Sequence, residues 1–407
     1  RTPIREAFKL LENEGLIDYI PNRGCFAKGF TKQDVDDIYA VRAALEMLAV
    51  ERSVERITDA EVAALRGDYS YFNSYLGNFV VDEPTVPGKG HKDYQISDTH
   101  IRNYEYYTTV SQQLNKHANT VGYLNNAAAT WFSGWEQWNK DVISEYKDII
   151  ETITTSTNAK VLSFDRYMKD LETIKSCAKY MVNLDVIRSQ AIESGIPFWS
   201  FVQAGGNFDG KDSSTIPTEA ELYWEVNINL AFGAKGIQYY TLVQGDNKED
   251  LTSSGILDAN YNKNQTTNRA WYDYVTNANQ QITAVDEILM KATNKGVITT
   301  GGYATSNTEN VSETFLFSNY TLDAVIDNYS DIKSSDGIQR VESISGNSNN
   351  KYGVLAGVFD YQGKVALYVV NWDTTASQTI TVDFNGDNAY NYRVLSAGQD
   401  VNGYGTS

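Results

Sequence analysis

The sequence predicts a multidomain chain of α/β plus all-β type, and three observations lead there. Composition changes abruptly at Arg66-Gly67: residues 1–66 hold ten Lys/Arg against twelve Asp/Glu with two Tyr and no Trp, whereas residues 67–407 hold 24 against 40, with all seven Trp and 26 of the 28 Tyr. Between Gly77 and Thr241, short apolar runs alternate with helical stretches at the spacing of a parallel sheet. Beyond Lys291, β-branched runs are separated by Gly, Asn and Asp turns, as in an antiparallel β structure.

At 407 residues the chain is long enough for two or three domains with sizeable cores. A net charge of −18 argues against broad nucleic-acid affinity, although a local patch can still bind. Cys25 and Cys177 form neither a CxxC nor a zinc spacing, so two isolated thiols are expected. No apolar run reaches membrane-spanning length, which predicts a soluble chain without a membrane span. The chain begins at Arg1 without Met or a signal-like segment, so it reads as a fragment whose cellular address is not legible.

In the first part, Thr2 is an N-cap and Pro3 takes the first helical position. Ile4, Ala7, Phe8 and Leu11 then form an apolar face, and Gly15 ends the short helix. Leu16-Ile17-Asp18-Tyr19-Ile20 reads as a strand, Pro21-Asn22-Arg23-Gly24 as a turn, and Cys25-Phe26-Ala27 as a second strand. A helix followed by a hairpin is the outline of a winged helix. Arg1-Thr2-Pro3-Ile4-Arg5-Glu6-Ala7, Glu14-Gly15-Leu16-Ile17 and Pro21-Asn22-Arg23-Gly24, in that order and spacing, resemble the GntR family of bacterial transcription regulators. The resemblance implies a recognition helix in which Arg1, Thr2 and Arg5 contact DNA, and a wing tip where Arg23 and Gly24 approach the backbone or minor groove. From Thr31, a helix with Val35, Ile38, Val41 and Leu45 on one face is similar to the start of the effector domain in the FadR branch. Asp34, Asp36 and Asp37 are read as solvating that helix and favouring its N-terminus. The two helices that precede a recognition helix in the family, and most of the effector domain, have no counterpart here, so this segment is expected to bind DNA poorly by itself.

In the second part, Gly77-Asn78-Phe79-Val80-Val81-Asp82-Glu83-Pro84 is the sharpest chemical feature. Phe79-Val80-Val81 suits a buried parallel strand, and Pro84, lacking an N–H, cannot extend it, so two carboxylates arrive at a strand's carboxyl end. Three more strands are predicted, at Ala159–Asp165, Gly195–Gln203 and Gly233–Thr241. The stretches between them are helical: one includes Trp138, Val142, Ile149 and Ile153, a second runs from Met168 to Glu193, and a third opens at Pro217-Thr218-Glu219-Ala220-Glu221.

Asp82-Glu83-Pro84, Pro197-Phe198-Trp199-Ser200-Phe201-Val202-Gln203, and Trp224 followed by Leu230-Ala231-Phe232-Gly233-Ala234-Lys235-Gly236-Ile237-Gln238-Tyr239-Tyr240 resemble the later strands of (β/α)8 glycoside hydrolases of the β-galactosidase-like or polysaccharide-degrading type. The resemblance covers residues 67 to about 293. It implies Glu83 as general acid and a second carboxylate across the sugar ring. Related enzymes often carry a Glu late in the barrel where this chain has Thr241, which leaves Asp165 and Asp246 as the alternatives. Asp82, alternating to the other side of the strand, is expected to orient a neighbour. Of the aromatic residues Trp131, Trp135, Trp138, Trp199, Tyr239 and Tyr240, the last three, near strand ends, are assigned to stacking on sugar rings. His91, His100 and His117 have no metal-ligand spacing. No phosphate-binding glycine loop is present, so neither metal nor cofactor is expected.

After a helix from about Thr267 to Lys291, the runs Val354–Asp360, Lys364–Trp372 and Gln378–Phe384 predict a small β-sandwich of the kind such enzymes carry against the barrel. The domain reading is therefore a partial winged helix at 1–29, the start of a helical effector domain at 30–66, the latter part of a (β/α)8 barrel at 67–293 and a β-sandwich at 294–407. Only four strands are expected before the sandwich, fewer than a closed barrel needs. Both resemblances break at the same junction, as a gene rearrangement or a misjoined sequence would produce. The functional reading is a glycoside-hydrolase-like protein acting on a poly- or oligosaccharide, fused to a truncated DNA-binding fragment. Its alternatives are a transcription regulator with a carbohydrate-sensing domain and a non-catalytic carbohydrate-binding protein. Carbohydrate, and DNA through residues 1–29, are the partners; the two parts imply opposite locations, surface or secreted against cytoplasmic.

Overall fold

The computed structural model describes residues 17–20, 24–27, 77–84, 86, 98–116, 121–128, 140–167, 174–205, 217–242, 255–257, 262–263, 270–300, 323–324, 326, 331–335, 340–346, 353–384, 390–396 and 399–405. They belong to two compact units, Arg1–Asn73 and Ser74–Ser407. In the first unit β1 (Ile17–Ile20) pairs antiparallel with β2 (Gly24–Ala27), with Ile20 opposite Gly24. The helix expected at Thr2–Leu11 and the one expected from Thr31 lie outside the described residues.

The second unit is built on a parallel sheet. Its strands are β3 (Gly77–Asp82), β4 (Val121–Asn126), β5 (Leu162–Asp165), β6 (Phe198–Gln203) and β7 (Gly236–Tyr240), in that spatial order. Helices α1 (Asp98–Lys116), α2 (Lys140–Ser156), α3 (Ile174–Ser194) and α4 (Glu219–Ala231) occupy the crossovers, and α5 (Trp271–Lys291) follows β7. Sheet order equals chain order. Because β-α-β crossovers are right-handed, an order without reversal sends every crossover helix to the same face. Among the described residues five parallel strands precede the antiparallel part where the sequence predicts four. Val121-Gly122-Tyr123-Leu124-Asn125-Asn126 escapes prediction because it has Gly and two Asn in place of a β-branched run. Its polar side chains are held by partners far away in sequence.

The helix-side face is the core. Ile143, Tyr146, Ile150 and Ile153 form one stripe of α2 and bury against Leu162, Phe164 and Phe198. Each buried isoleucine contributes on the order of 1.5–3 kcal/mol. α4 begins at a capping box: Glu221 N donates to Thr218 Oγ1 at 3.2 Å, and Thr218 N donates to Glu221 Oε2 at 2.7 Å. It ends in a Schellman turn, with Gly233 N donating to Leu230 O and Ala234 N to Asn229 O. Gly233 supplies the positive φ of 99° that this turn requires.

α4 is buried almost all round because it is packed on both sides. One side meets the parallel sheet, and the other meets β10 (Val354–Tyr361) and β11 (Lys364–Asn371). β10 lies between β11 and β8 (Thr293–Thr300) in an antiparallel sheet. The hairpin turn from β10 to β11 is two residues, Gln362 and Gly363, at φ 55° and 81°, the sign pattern of a type I′ turn. β9 (Val341–Ser345) pairs with β12 (Thr381–Phe384), and Val341 and Ile344 share a cluster with Ile298, Val354, Ala356 and Val358. β13 (Tyr390–Ser396) and β14 (Gln399–Gly405) form a separate hairpin. The sequence reading finds the strands of β10, β11 and β12 but not β8, β9, β13 or β14, whose residues alternate less clearly. Tyr368 Oη donates to Asn227 Oδ1 at 2.5 Å, and Asp185 of α3 accepts both Asp323 N and Ala324 N at 2.8 Å. The antiparallel part thus shares its core and its polar contacts with the parallel sheet. Among the described residues no helix is long and apolar enough to cross a membrane.

Candidate active site

The carboxyl ends of β3 to β7 gather the polar residues. β3 contains a bulge between Phe79 and Val81, and Asp82, its last residue, takes the register position opposite Asn125. Glu83 N donates to Asn125 O at 2.8 Å, so the ladder reaches one residue beyond the strand. Glu83 itself has φ 43°, a left-handed conformation that costs a side-chain-bearing residue on the order of 1–3 kcal/mol. The other two described non-glycine residues with positive φ, Asn158 and Gln362, sit in ordinary turns; Glu83 sits where a strand stops. Pro84 and Val86, which follow it in the chain, are buried.

Asp165, the last residue of β5, is largely buried and accepts from Asn125 Nδ2 at 2.9 Å. Tyr146 of α2 is buried in the core and feels the charge of both Asp165 and Glu83. Burial above all pushes the Tyr146 hydroxyl far up, the charges of Asp165 and Glu83 add to this, and Arg166 opposes it. Both carboxylates therefore lie within electrostatic reach of one buried hydroxyl. Tyr240, exposed at the end of β7, sets its ring 5.6 Å from that of Tyr167. The Tyr240-Thr241 peptide is cis.

Other sequence-predicted residues fall elsewhere. Trp199 is at the start of β6, beside Ser163 and Gly236 in register, and lies edge-on to Tyr123 at 5.3 Å. Tyr239 turns to the helix side, where its hydroxyl donates to Asn279 Oδ1 of α5 at 2.9 Å and its ring joins the core. Gly24 opens β2. Arg1, Thr2, Arg5, Arg23, Asp246, Trp131, Trp135 and Trp138 lie outside the described residues. The Gly-Ala-Lys-Gly segment has structural work. The Lys235 ammonium donates to Ala292 O at 2.8 Å and to Leu289 O, capping α5, and a Cβ on Gly236 would sit 2.5 Å from the Trp199 ring.

Sequence reasoning misses a second cluster behind the strand ends. Glu225 of α4 is completely buried, and its Oε2 accepts from Gln203 N at 3.2 Å. Its Oε1 has no hydrogen-bond partner among the described residues. Burial raises its carboxyl well above the usual range, a rise that the Gln203 N–H and Arg166 only partly offset. Asn229 Nδ2 donates to Tyr180 Oη at 2.6 Å beside it. A single Glu within an apolar helical stretch carries no sequence signal of this kind. Since the folded state raises this carboxyl, Glu225 favours folding below the unfolded carboxyl value of 4.5, and that contribution is lost as pH rises through the folded value. Glu225→Gln is thus expected to flatten the loss of stability between about pH 5 and about pH 8, gaining on wild type as pH rises. Urea midpoints at the two pH values measure it; an equal pH dependence in both proteins refutes it.

No family model matches the chain. Its N-terminal segment resembles helix-turn-helix transcription regulators. The Nta operon transcriptional regulator of Aminobacter aminovorans is 42% identical over 66 residues, 16% of this chain and 31% of that protein. The uncharacterized regulator YdhC of Bacillus subtilis (strain 168) is 42% identical over 65 residues, 16% of this chain and 29% of that protein. The chain thus spans about a third of the length of these relatives. Among solved structures, a β-galactosidase from the psychrophilic Marinomonas ef1 aligns with 54% of this chain and 33% of its own, at 12% identity and a TM-score of 0.34.

Proposed function

We propose that residues 67–407 form a glycoside-hydrolase-like unit that cleaves O-glycosidic bonds of a poly- or oligosaccharide, joined to a GntR-like DNA-binding fragment in residues 1–66. The observation that supports the first part is that Asn125 joins the two carboxylate residues at the carboxyl ends of parallel strands: its backbone O accepts from Glu83 N and its Nδ2 donates to Asp165 Oδ1. In this reading the singly wound sheet is the latter part of a (β/α)8 barrel, whose chemistry belongs at that end, and the antiparallel sheets are its β-sandwich. Glu83 protonates the leaving oxygen, and the Asp165 carboxylate acts across the sugar ring. The Tyr167 and Tyr240 rings offer an apolar surface to the sugar's C–H face. The test is hydrolysis of alkyl and aryl glycosides by the chain and by Glu83→Gln.

The N-terminal identities favour a second role, DNA binding through Arg1, Thr2, Arg5, Arg23 and Gly24. A gel shift of the full chain on palindromic operator-like duplexes is expected to give weak, salt-sensitive binding that Arg5→Ala lowers at least several-fold, because lost phosphate and base contacts each weaken the complex. Binding that ignores both salt and Arg5 sinks this role.

A further inference from the structure

On the face of the parallel sheet away from the helices five side chains are joined in series. Tyr123 Oη of β4 donates to Gln238 Oε1 of β7 at 3.1 Å. Gln238 Nε2 donates to Ser163 Oγ of β5 at 3.0 Å, Ser163 Oγ donates to Asn125 Oδ1 of β4 at 3.0 Å, and Asn125 Nδ2 donates to Asp165 Oδ1 at 2.9 Å. In a flat sheet β4 and β7 would stand three strand spacings apart, about 14 Å. Their side chains meet because the sheet curls around this face. Ser163 and Asn125 are buried, at 0% and 2% exposure, so water does not substitute freely for a missing link.

Such a chain has two self-consistent polarities. In the observed one every hydrogen points toward Asp165. In the other every link reverses, so that both amides flip, both hydroxyls rotate and Asp165 donates, which only a protonated carboxyl can do. A proton on Asp165 Oδ1 therefore requires rearranging four neighbours, and a proton on Oδ2 weakens the charge-assisted bond from Asn125 Nδ2, so the chain as it stands favours the carboxylate. We propose that Tyr123, Gln238, Ser163 and Asn125 are positioning residues that commit Asp165 to the carboxylate state, making it the acceptor of the site and leaving Glu83 as its acid. This deepens the glycosidase reading and rests on it for the division of labour. The one-way chain itself is a property of the fold.

Among the described residues, Tyr146 of α2 is coupled to Asp165, and Glu83 at the end of β3 and Arg166 after β5 act on the same hydroxyl. The experiment must therefore follow Asp165 itself. In protein labelled with 13C at the Asp side-chain carboxyl, the Asp165 signal is identified by its loss in Asp165→Asn, and its titration is compared in wild type, Ser163→Ala and Tyr123→Phe. Ser163→Ala cuts the chain in the middle and is expected to move the Asp165 midpoint upward. Tyr123→Phe keeps the ring contacts with Phe79 and Trp199 and is expected to move it the same way by less. If Ser163→Ala fails to fold, by circular dichroism, Tyr123→Phe decides. An unmoved midpoint in the folded variants, or an Asp165 that is protonated in the wild type at neutral pH, overturns the proposal. The expected shifts in a wild type that hydrolyses no glycoside leave the chain standing and remove the glycosidase reading.

Discussion

Glu83→Gln is expected to lower kcat/KM on an alkyl glycoside by about 100- to 10,000-fold, the range general acid catalysis contributes. The amide keeps the size and polarity of the side chain but cannot deliver a proton to the leaving oxygen. An alkoxide leaves badly without that proton, whereas a nitrophenolate leaves well, so the loss should be several-fold smaller on a nitrophenyl glycoside. Asp165→Asn should lose activity on both, because the carboxylate acts on the sugar and not on the leaving group. Equal losses on the two substrates in Glu83→Gln would deny Glu83 the acid's role, and retained activity would end the catalytic reading. A sugar-binding protein without catalysis would instead show Glu83→Gln binding oligosaccharide almost as wild type, with no turnover in either.

Gly357→Ala is the second large effect, here on stability. A Cβ at this position in β10 would stand 2.1 Å from Ala231 O, the last residue of α4, and that oxygen also accepts from Asn294 Nδ2 at 2.9 Å. The obstacle is backbone, so no flexible side chain can yield. α4 and β10 must separate, which disturbs the Tyr368–Asn227 contact and the Trp224–Trp372 ring pair at 6.1 Å. Overpacking of this kind costs typically 1–3 kcal/mol, and the rigid neighbour puts the expected loss near 3 kcal/mol. Urea unfolding followed by tryptophan fluorescence measures it. A variant within about 0.5 kcal/mol of wild type would mean that the antiparallel sheet is not pressed against α4 as described.

The same contact explains which elements were legible in sequence. α4 announces itself through the Thr218-to-Glu221 capping box and the Gly233 stop, both local signals that need no partner. β10 does so through its continuous apolar run, the pattern of a strand buried on both faces. β4 does not. Its Asn125 and Asn126 are held inside the sheet because Asp165, Ser163 Oγ and Ser163 O take up both Asn125 side-chain polar atoms and Asn126 Nδ2, and those partners lie about 40 residues away. Strand propensity reads neighbours in sequence, so a strand held by distant hydrogen bonds passes as a loop.

The candidate site divides the same way. The sequence by itself determined that Glu83 follows a strand and precedes a proline, that parallel strands alternate with helices, and that composition changes near Arg66-Gly67. Each is written in residues adjacent along the chain. The burial expected of Phe79-Val80-Val81 is not found, since Phe79 is exposed and both valines are half-buried. Tertiary structure alone decided that Trp199 lies near the start of its strand, that Tyr239 faces α5, and that Glu225 lies buried with its carboxylate on Gln203 N. It alone also decided that Asp165 closes a hydrogen-bond chain begun at Tyr123. These depend on which face a side chain meets once the sheet curls, a property of strands brought together across more than a hundred residues.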